Sequence, residues 1–557
     1  MERQDENPRR LPARRGFSVV YRNKTLLSLV DPIGRAERLA DAAPVMNRTL
    51  YFCPSPLYGY GLRRLLDRIH GDSAVLCVET DESLMAVSLA APEAPWKENP
   101  SLALVRTADA AALCAFVRKT WGGRRFRRVT VLRLSGGWRL APEVYDALAD
   151  ALRQDIAVDW ANAMTVIKLG RRFIRNTIRN LPRIPLARPL GGLRFGNVPA
   201  LVLGAGPSLD RVLDGLSAAF GDLSGTQTRP FRIICVDTAL EALKERDITP
   251  DLAVVLESQH WNLRDFIGLG SWKIPAVMDI SALPATGETL GAAPSLFATP
   301  WAPLHIFDRL EDAGLLPETF PPLGSVGLTA AALARRLCSG PVILGGLDFA
   351  FTDCAVHARA TPGHRERLRR QTRLAGIINA DVAFRRGTVP AAANNGARVR
   401  TDPVLMGYRD LFEREFAGDR RFRSIAGPGL PLGVETLPVN EALALLGTRP
   451  APCPGRAEWE EAGSRAVGET RRGVLEAFIR REQEALMELR DILTGTAPAA
   501  RLEERLDNAD YLWAHFPECA GAEGRRPPAG DISFLKRVRA EIDPFIGLWK
   551  QISAERR

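Results

Sequence analysis

The chain is 557 residues long, with 46% hydrophobic and 25% charged residues and a formal net charge of +10 at pH 7. That balance excludes disordered, collagen-like, coiled-coil and disulfide-scaffold classes, and at roughly 100 to 200 residues per domain the length implies about three or four domains. Only eight of the 75 basic residues are lysine, so the charge reflects a coding bias towards arginine as much as a basic face, and its location must decide its meaning. The eight cysteines are scattered without a CxxC pair, several inside apolar runs such as Ala74 to Val78, and read as small buried hydrophobes of a reducing compartment. No run approaches the roughly 18 apolar residues of a membrane span and the polar N-terminus lacks a secretory apolar segment, so a cytoplasmic protein without a membrane span is expected.

Residues 1–44 are mostly polar and read as an N-terminal extension, with strand character around Val19 to Val30. From Thr49 strands alternate with helices: Thr49 to Cys53, Ala74 to Val78, Leu102 to Val105 and Val129 to Leu134. This alternation predicts a small parallel-sheet α/β domain over 45–155. Residues 156–195 read as a basic helical linker, inside a run from 160 to 209 that holds eight basic and no acidic residues, Arg171, Arg172, Arg175 and Arg179 among them. Such a run is either a solvated helical face or an anion-facing wall. Residues 196–430 repeat the alternation through six apolar strands, at Ala200 to Leu203, Ile233 to Val236, Leu252 to Leu256, Ala276 to Ile280, Ser295 to Ala298 and Val342 to Leu344. A doubly wound, Rossmann-like central domain follows, with its ligand crevice at the carboxyl ends of the strands. Residues 431–557 read as a C-terminal helical domain, from apolar positions such as Leu475, Phe478, Ile479, Leu486, Leu489 and Leu493 at helical spacing.

The strongest local signal is the apolar strand running into Gly204-Ala-Gly206-Pro207-Ser208. Glycines admit close backbone approach, Pro207 suits a first helical position, and the helix N-terminus offers aligned N–H donors to a phosphate. As bare spacing it half matches GxGxxG, because Leu209 stands at the third glycine, and a tight turn without ligand stays open. The second strand ends at Asp237-Thr238, where an acid either reaches a ribose hydroxyl or caps the next helix. The third leads to Glu257 and His260, a carboxylate and an imidazole suited to acid/base work at the crevice edge or to surface roles. Gly324-Ser325 opens a further helix. The last strand runs to Asp348, and its loop carries Thr352, Asp353, His357 and Arg359; His357 is the candidate general base. Arg359, Arg365, Arg367, Arg369, Arg370 and Arg373 form either a basic patch or a solvated helix face.

These motifs together, GAGPSLD at 204–210, VDTALEAL with ITPDLAVVLESQHWN at 236–262, and GSVGLTAAALA at 324–334 with ILGGLDFAFTD and His357, resemble the motility accessory factor (Maf) family. That family is built on domain of unknown function 115 and is also described as 6-hydroxymethylpterin diphosphokinase MptE-like. Asp31-Pro32, Glu37-Arg38, Asn394-Asn395-Gly396 and Thr401-Asp402 extend the resemblance outward. It implies a sialyltransferase-like central domain that moves a nonulosonic acid, of pseudaminic or legionaminic type, from a CMP-sugar to serine or threonine of flagellin. Gly204, Gly206, Pro207 and Ser208 would hold the nucleotide phosphate; Asp237, Thr238, Gly324, Ser325 and Asp348 would line the donor pocket; His357 would deprotonate the acceptor, with Glu257 and His260 as further acid/base candidates. No metal or cofactor is expected beyond the nucleotide-sugar donor. The partners are flagellin and the nucleotide-sugar, with no nucleic acid, and self-association stays open.

Three rivals remain. A flagellin-binding assembly factor could keep the nucleotide fold without catalysis. A 6-hydroxymethyl-dihydropterin pyrophosphokinase would need Mg²⁺ on paired acids, yet Leu256-Glu257-Ser258 offers one acid where that group carries a DxD-type stretch. A nicotinamide oxidoreductase would need the missing third glycine.

Overall fold

The computed structural model describes residues 7–91, 99–122, 125–225, 229–270, 272–289, 294–352, 355–374, 384–447, 465–520 and 526–554. Asp353, in the loop beyond Asp348, lies outside them. Among the described residues no helix is long and apolar enough to cross a membrane, and six cysteines are buried. The chain divides into two compact units, Met1–Gly170 with Trp513–Pro528, and Arg171–Leu512 with Ala529–Arg557, where the sequence suggests five segments.

In the first unit, β4 (Thr49–Pro54), β5 (Ala74–Glu79), β6 (Leu102–Arg106) and β7 (Arg128–Val131) form a parallel sheet in the order β6-β5-β4-β7. The two central strands are buried at every position, because helices cover both faces, and so they read as continuous apolar runs. Leu50, Phe52, Leu76 and Val78 pack on Leu113, Val117, Leu148 and Leu152, while Tyr51, Cys53, Val75 and Cys77 pack on Leu62 and Leu65. The N-terminal segment is part of this fold rather than a mere extension. Its strands β1 (Arg9–Pro12), β2 (Phe17–Tyr21) and β3 (Lys24–Thr25) form an antiparallel sheet, and Val19, Tyr21, Leu26 and Leu27 bury themselves against Leu57, Tyr58 and Leu84. Leu57 and Tyr58 follow β4, so residues at the strands' carboxyl end are already packed by the chain itself. Glu79, at the end of β5, is equally committed: its carboxylate accepts from Ser55 Oγ at 2.7 Å, Tyr145 OH at 2.9 Å and the amides of Thr80 and Asp81 at 2.9 and 3.1 Å.

The second unit is built on an eight-stranded parallel sheet. Its strands are β8 (Ala200–Leu203), β9 (Arg232–Val236), β10 (Leu252–Val255), β11 (Ala276–Asp279), β12 (Ser295–Phe297), β13 (Val342–Gly345), β16 (Phe422–Ile425) and β17 (Glu435–Leu437), in the order β12-β11-β10-β9-β8-β13-β16-β17. The six apolar strands of the sequence reading are all present; β16 and β17 extend the sheet beyond them, and before β16 the chain forms a separate antiparallel hairpin, β14 (Val389–Ala392) with β15 (Arg398–Thr401). The chain moves outward from β8 to β12, then returns through the helix Val326–Leu337 to place β13 against the other side of β8. The strand order reverses between β8 and β13, which makes their carboxyl ends the natural ligand crevice. Val326–Leu337 carries nine buried residues, small ones such as Ala330, Ala331 and Ala334 allowing it to lie close on the sheet.

Of the segment read as a basic helical linker over 156–195, residues 156–180 are the later part of one long helix, Pro142–Asn180, and the rest is short turns. Asn176 donates to the carbonyls of Ser258 and Ser281 at 3.1 and 3.0 Å, and Asn180, one turn later, to those of Ile280 and Ala282, both at 2.9 Å. Two amides thus satisfy four carbonyls beyond β10 and β11 that would otherwise be buried without donors. Arg171 is likewise spent on Glu541, at 2.7 Å. The C-terminal helices before Trp513 and after Pro528 belong to the same unit, held by the bidentate pair Arg309–Glu482 at 2.7 and 3.0 Å and by Asp510, which accepts from the His305 amide at 2.9 Å.

One buried charge cluster ties β9 and β10 together. Asp251 accepts from Arg229 and Arg232 at 2.7 and 2.8 Å and from the Ile233 amide at 2.8 Å, with all three charged side chains under a tenth exposed. Asp251→Ala would strand two buried guanidinium groups and should cost about 3–5 kcal/mol. Urea unfolding of the variant beside the parent measures this, and a loss below about 1 kcal/mol would show that water compensates the arginines.

Candidate active site

The sequence-selected residues of the second unit gather at the carboxyl edge of its sheet because each follows a strand. Gly204 follows β8, Asp237 follows β9, Glu257 follows β10, and Asp348 lies three residues beyond β13. At the switch point the strand ends touch. The amides of Gly204 and Gly206 donate to the carbonyls of Gly345 and Gly346, both at 2.8 Å. A Cβ on Gly204 would stand 2.4 Å from the Gly346 carbonyl oxygen, and one on Gly206 would stand 2.5 Å from Asp348 Oδ2.

The turn was expected to hold phosphate through free amides, and the structure commits those donors to protein. Pro207 is not the first helical residue; it precedes the cap, Ser208, and the helix spans Leu209–Phe220. The Ser208 amide donates to Asp348 Oδ2 at 2.7 Å and its hydroxyl to Asp348 Oδ1 at 2.5 Å. An aspartate therefore already stands where an anion at this helix N-terminus would sit. Burial pushes the Asp348 carboxyl above its ordinary range, against the opposing effect of both Ser208 hydrogen bonds. A ligand phosphate contacts the Ser208 donors only if Asp348 releases them.

Asp237 is buried and turned inward rather than open to a ribose. Its oxygens accept from the Thr238 amide at 2.8 Å and from Asn262 Nδ2 at 3.0 Å, and the Thr238 hydroxyl bonds Asp265 at 3.0 Å. Burial, then the neighbouring Asp265 charge, raises Asp237 to about 7. These two carboxylates, 28 residues apart in sequence, make the acid pair that a reading of contiguous motifs missed. They are bound up with Thr238 and Asn262, and among the described residues no group of three or more His, Cys, Asp or Glu side chains is placed to hold a metal ion.

Glu257 and His260 are exposed and do not meet. Glu257 accepts from the Gln259 amide at 2.8 Å, and the His260 ring lies 5.1 Å from that of Trp261. The other glycine motif stays open. Gly324 has φ +69° and Ser325 caps the helix Val326–Leu337 without a side-chain cap bond, which leaves the first-turn N–H groups without side-chain capping. Tyr408, from the helix Pro403–Phe416, comes within 3.3 Å of a Cβ placed on Gly324. No local motif marks Tyr408, which lies 84 residues further along the chain. Neither the Ser325 nor the Tyr408 hydroxyl has a hydrogen-bond partner among the described residues. Burial raises the Tyr408 phenol, helped by the charges of Asp402 and Glu257.

His357 lies beside the phosphate-type turn, since the Ala358 amide donates to the Ala205 carbonyl at 3.0 Å. Its ring has no hydrogen-bond partner among the described residues. Desolvation, then the positive charges of Arg367, Arg264 and His364, lowers it to about 4, so it is neutral at pH 7. The arginines of the surrounding patch are partly internal: Arg365 pairs with Glu241 and Glu245, Arg264 with Glu366 at 3.1 Å, and the Arg359 amide donates to Asp210 at 3.0 Å.

The Asp237 arrangement has a pH signature. A carboxyl at about 7 in the fold and about 3.9 in the unfolded chain retains a proton that the unfolded chain has lost, so its contribution to stability is full below about pH 4 and fades as pH rises through about 7. Measured by urea unfolding, the parent should lose stability relative to Asp237→Asn between about pH 4 and 7. A difference that does not change with pH would show that the buried Asp237 carboxyl is not raised in the fold.

Comparison with known proteins agrees with this architecture. Residues 175–354 match the family model described as 6-hydroxymethylpterin diphosphokinase MptE-like. An uncharacterized protein of Treponema pallidum (strain Nichols) is 28% identical over 565 residues, covering 98% of this chain and 95% of that protein. The solved structure of the MAf glycosyltransferase from Magnetospirillum magneticum AMB-1 superposes with a TM-score of 0.55 at 14% identity, covering 99% of this chain and 92% of that one. The resemblance read from the motifs is borne out as a similarity: residues 175–354 match the MptE-like family model, and the fold is shared with a Maf glycosyltransferase.

Proposed function

We propose that the protein is a cytoplasmic glycosyltransferase that moves a nonulosonic acid from a CMP-sugar to a serine or threonine hydroxyl of flagellin. The observation that carries this reading is the set of polar groups at the crevice that have no hydrogen-bond partner among the described residues. The Ser325 and Tyr408 hydroxyls stand at a helix N-terminus without a side-chain cap, and the His357 imidazole lies beside the glycine turn. A shared fold with the MAf glycosyltransferase supports the same class of reaction.

In the transfer, the acceptor oxygen attacks the anomeric carbon, the bond from that carbon to the phosphate oxygen breaks, and CMP leaves with the electron pair. The first-turn N–H groups of the helix Val326–Leu337, with Ser325 and Tyr408, are suited to the charge growing on the phosphate. His357, neutral in the empty site, takes the acceptor's proton. Asp348 holds Ser208 and keeps the turn closed against β13. Glu257 and His260, exposed and apart, fit contacts at the crevice rim better than proton transfer. The pyrophosphokinase reading gains no comparable support, since the Asp237–Asp265 pair is already hydrogen-bonded to protein groups.

Three measurements test this. CMP should raise the thermal midpoint of the purified protein. Tyr408→Phe and Ser325→Ala should each lower kcat by about 10²-fold, as for the loss of one donor to a developing oxyanion. Flagellin from a deletion strain should be lighter than that of its parent by intact mass; identical masses would sink the flagellin assignment.

A further inference from the structure

The segment after β10 carries an aromatic surface that the transfer as described does not use. Residues His260–Phe266 form a short 3₁₀ helix that is anchored at several points. Asn262 Nδ2 donates to Asp237 at 3.0 Å, the Thr238 hydroxyl donates to Asp265 at 3.0 Å, and Phe266 is buried. Trp261 stands among these anchors and is 68% exposed, the only exposed tryptophan among the described residues. A fixed backbone therefore presents it outward. The His260 ring lies 5.1 Å from it, at an interplanar angle of 32°, and widens the flat surface. An indole is a large apolar side chain, and leaving it in water forgoes the burial that a fold normally gives it. The buried acids Asp237 and Asp265, which take no part in the transfer, thus hold the segment that displays the indole.

Both ends of this stretch approach the candidate site. Glu257, just before it, is close enough to Tyr408 for its charge to act on the phenol. Arg264, just after Trp261, reaches the helix Pro362–Arg370 beside His357: a Cβ on Gly363 would stand 3.8 Å from Arg264 Nη2 and 3.7 Å from His357 Nδ1. The polar neighbours Asn262, Asp237, Thr238 and Asp265 are bonded to one another. The surface therefore offers a π face rather than a set of hydrogen-bonding side chains. A pyranose asks for such bonds to its hydroxyls, whereas a nucleobase can be held through its face.

We propose that Trp261, widened by His260, is the stacking platform for the base of the nucleotide donor. The inference rests on the glycosyl-transfer reading only for the donor's being a nucleotide-sugar. Because every base has a π face, the platform contributes affinity rather than a choice among bases.

The test uses the full-length protein with CMP, UMP, AMP, ribose 5-phosphate and free N-acetylneuraminic acid as probes, with affinities from calorimetry and with indole fluorescence. CMP should quench part of the parent's tryptophan emission. Trp261→Ala should remove that quench and weaken CMP at least about tenfold, as for the loss of one base–aromatic stack. Ribose 5-phosphate, which has no base, should bind parent and variant alike. Trp261→Tyr should recover much of the CMP affinity, which separates stacking from a folding effect. Ile267→Ala, at an equally exposed apolar position just past the same segment, should change CMP affinity less than about twofold. If CMP binds the parent and Trp261→Ala equally, the platform is overturned while the CMP-donor reading survives. An equal loss for ribose 5-phosphate, or a loss confined to N-acetylneuraminic acid, overturns it too, since the indole would then not hold the base. If UMP or AMP binds through Trp261 and CMP does not bind, the platform stands and the CMP-donor reading fails. If no nucleotide binds the parent, the proposal is wrong.

Discussion

The second unit depends on two glycines facing each other across the switch point. A Cβ on Gly204 would strike the Gly346 carbonyl oxygen at 2.4 Å, and one on Gly346 would strike that of Gly204 at 2.5 Å. Any side chain at either position would push β8 and β13 apart at their carboxyl ends, where the strand order reverses. Backbone, rather than side chain, must therefore form this contact. Because the strands meet this closely, the segments after them, some 140 residues apart in sequence, share one small volume.

Asp348 then organises that volume. Its carboxylate holds the Ser208 amide and hydroxyl, its carbonyl accepts from the Leu430 amide at 2.8 Å, and a Cβ on Gly429 would stand 2.8 Å from its Cα. Asn394 completes the arrangement by accepting from the Gly427 amide at 2.7 Å and donating to the Ile425 carbonyl at 3.4 Å. Loops after β8, β13 and β16 and the hairpin turn around Asn394 are thus fixed through one carboxylate and one amide. The consequence for function is a division of labour. The glycine turn commits its donors to protein groups, while the Ser325 hydroxyl and the His357 ring have no hydrogen-bond partner among the described residues.

Much of the fold was legible because buried parallel strands advertise themselves as apolar runs ending in turn residues. Leu201 to Leu203, Ile233 to Val236 and Val342 to Leu344 needed no tertiary context. β16 and β17 escaped notice because Arg423 and Glu435 interrupt their apolar pattern; at the sheet margin those two side chains pair with each other. The basic helix around Arg171 to Arg179 misled for the opposite reason. Its charges drew attention, while the buried residues that anchor it, Asn176 and Asn180, carry no charge and no distinctive spacing from a surface asparagine.

For the site, the sequence by itself determined which loops bear chemistry, since a residue that follows a strand must lie at the carboxyl edge of the sheet. It also determined the family resemblance, which resides in contiguous motifs. What only the tertiary structure decided is which of those groups are already satisfied. Ser208 could have faced solvent or phosphate, and a carboxylate 140 residues away takes its donors. Asp237 could have met a ribose, and Asn262 and Thr238 turn it inward. Tyr408 and Arg264 acquire their positions from packing across the sheet edge. Hydrogen-bond saturation is a property of neighbours in space, and a linear chain does not state who those neighbours are.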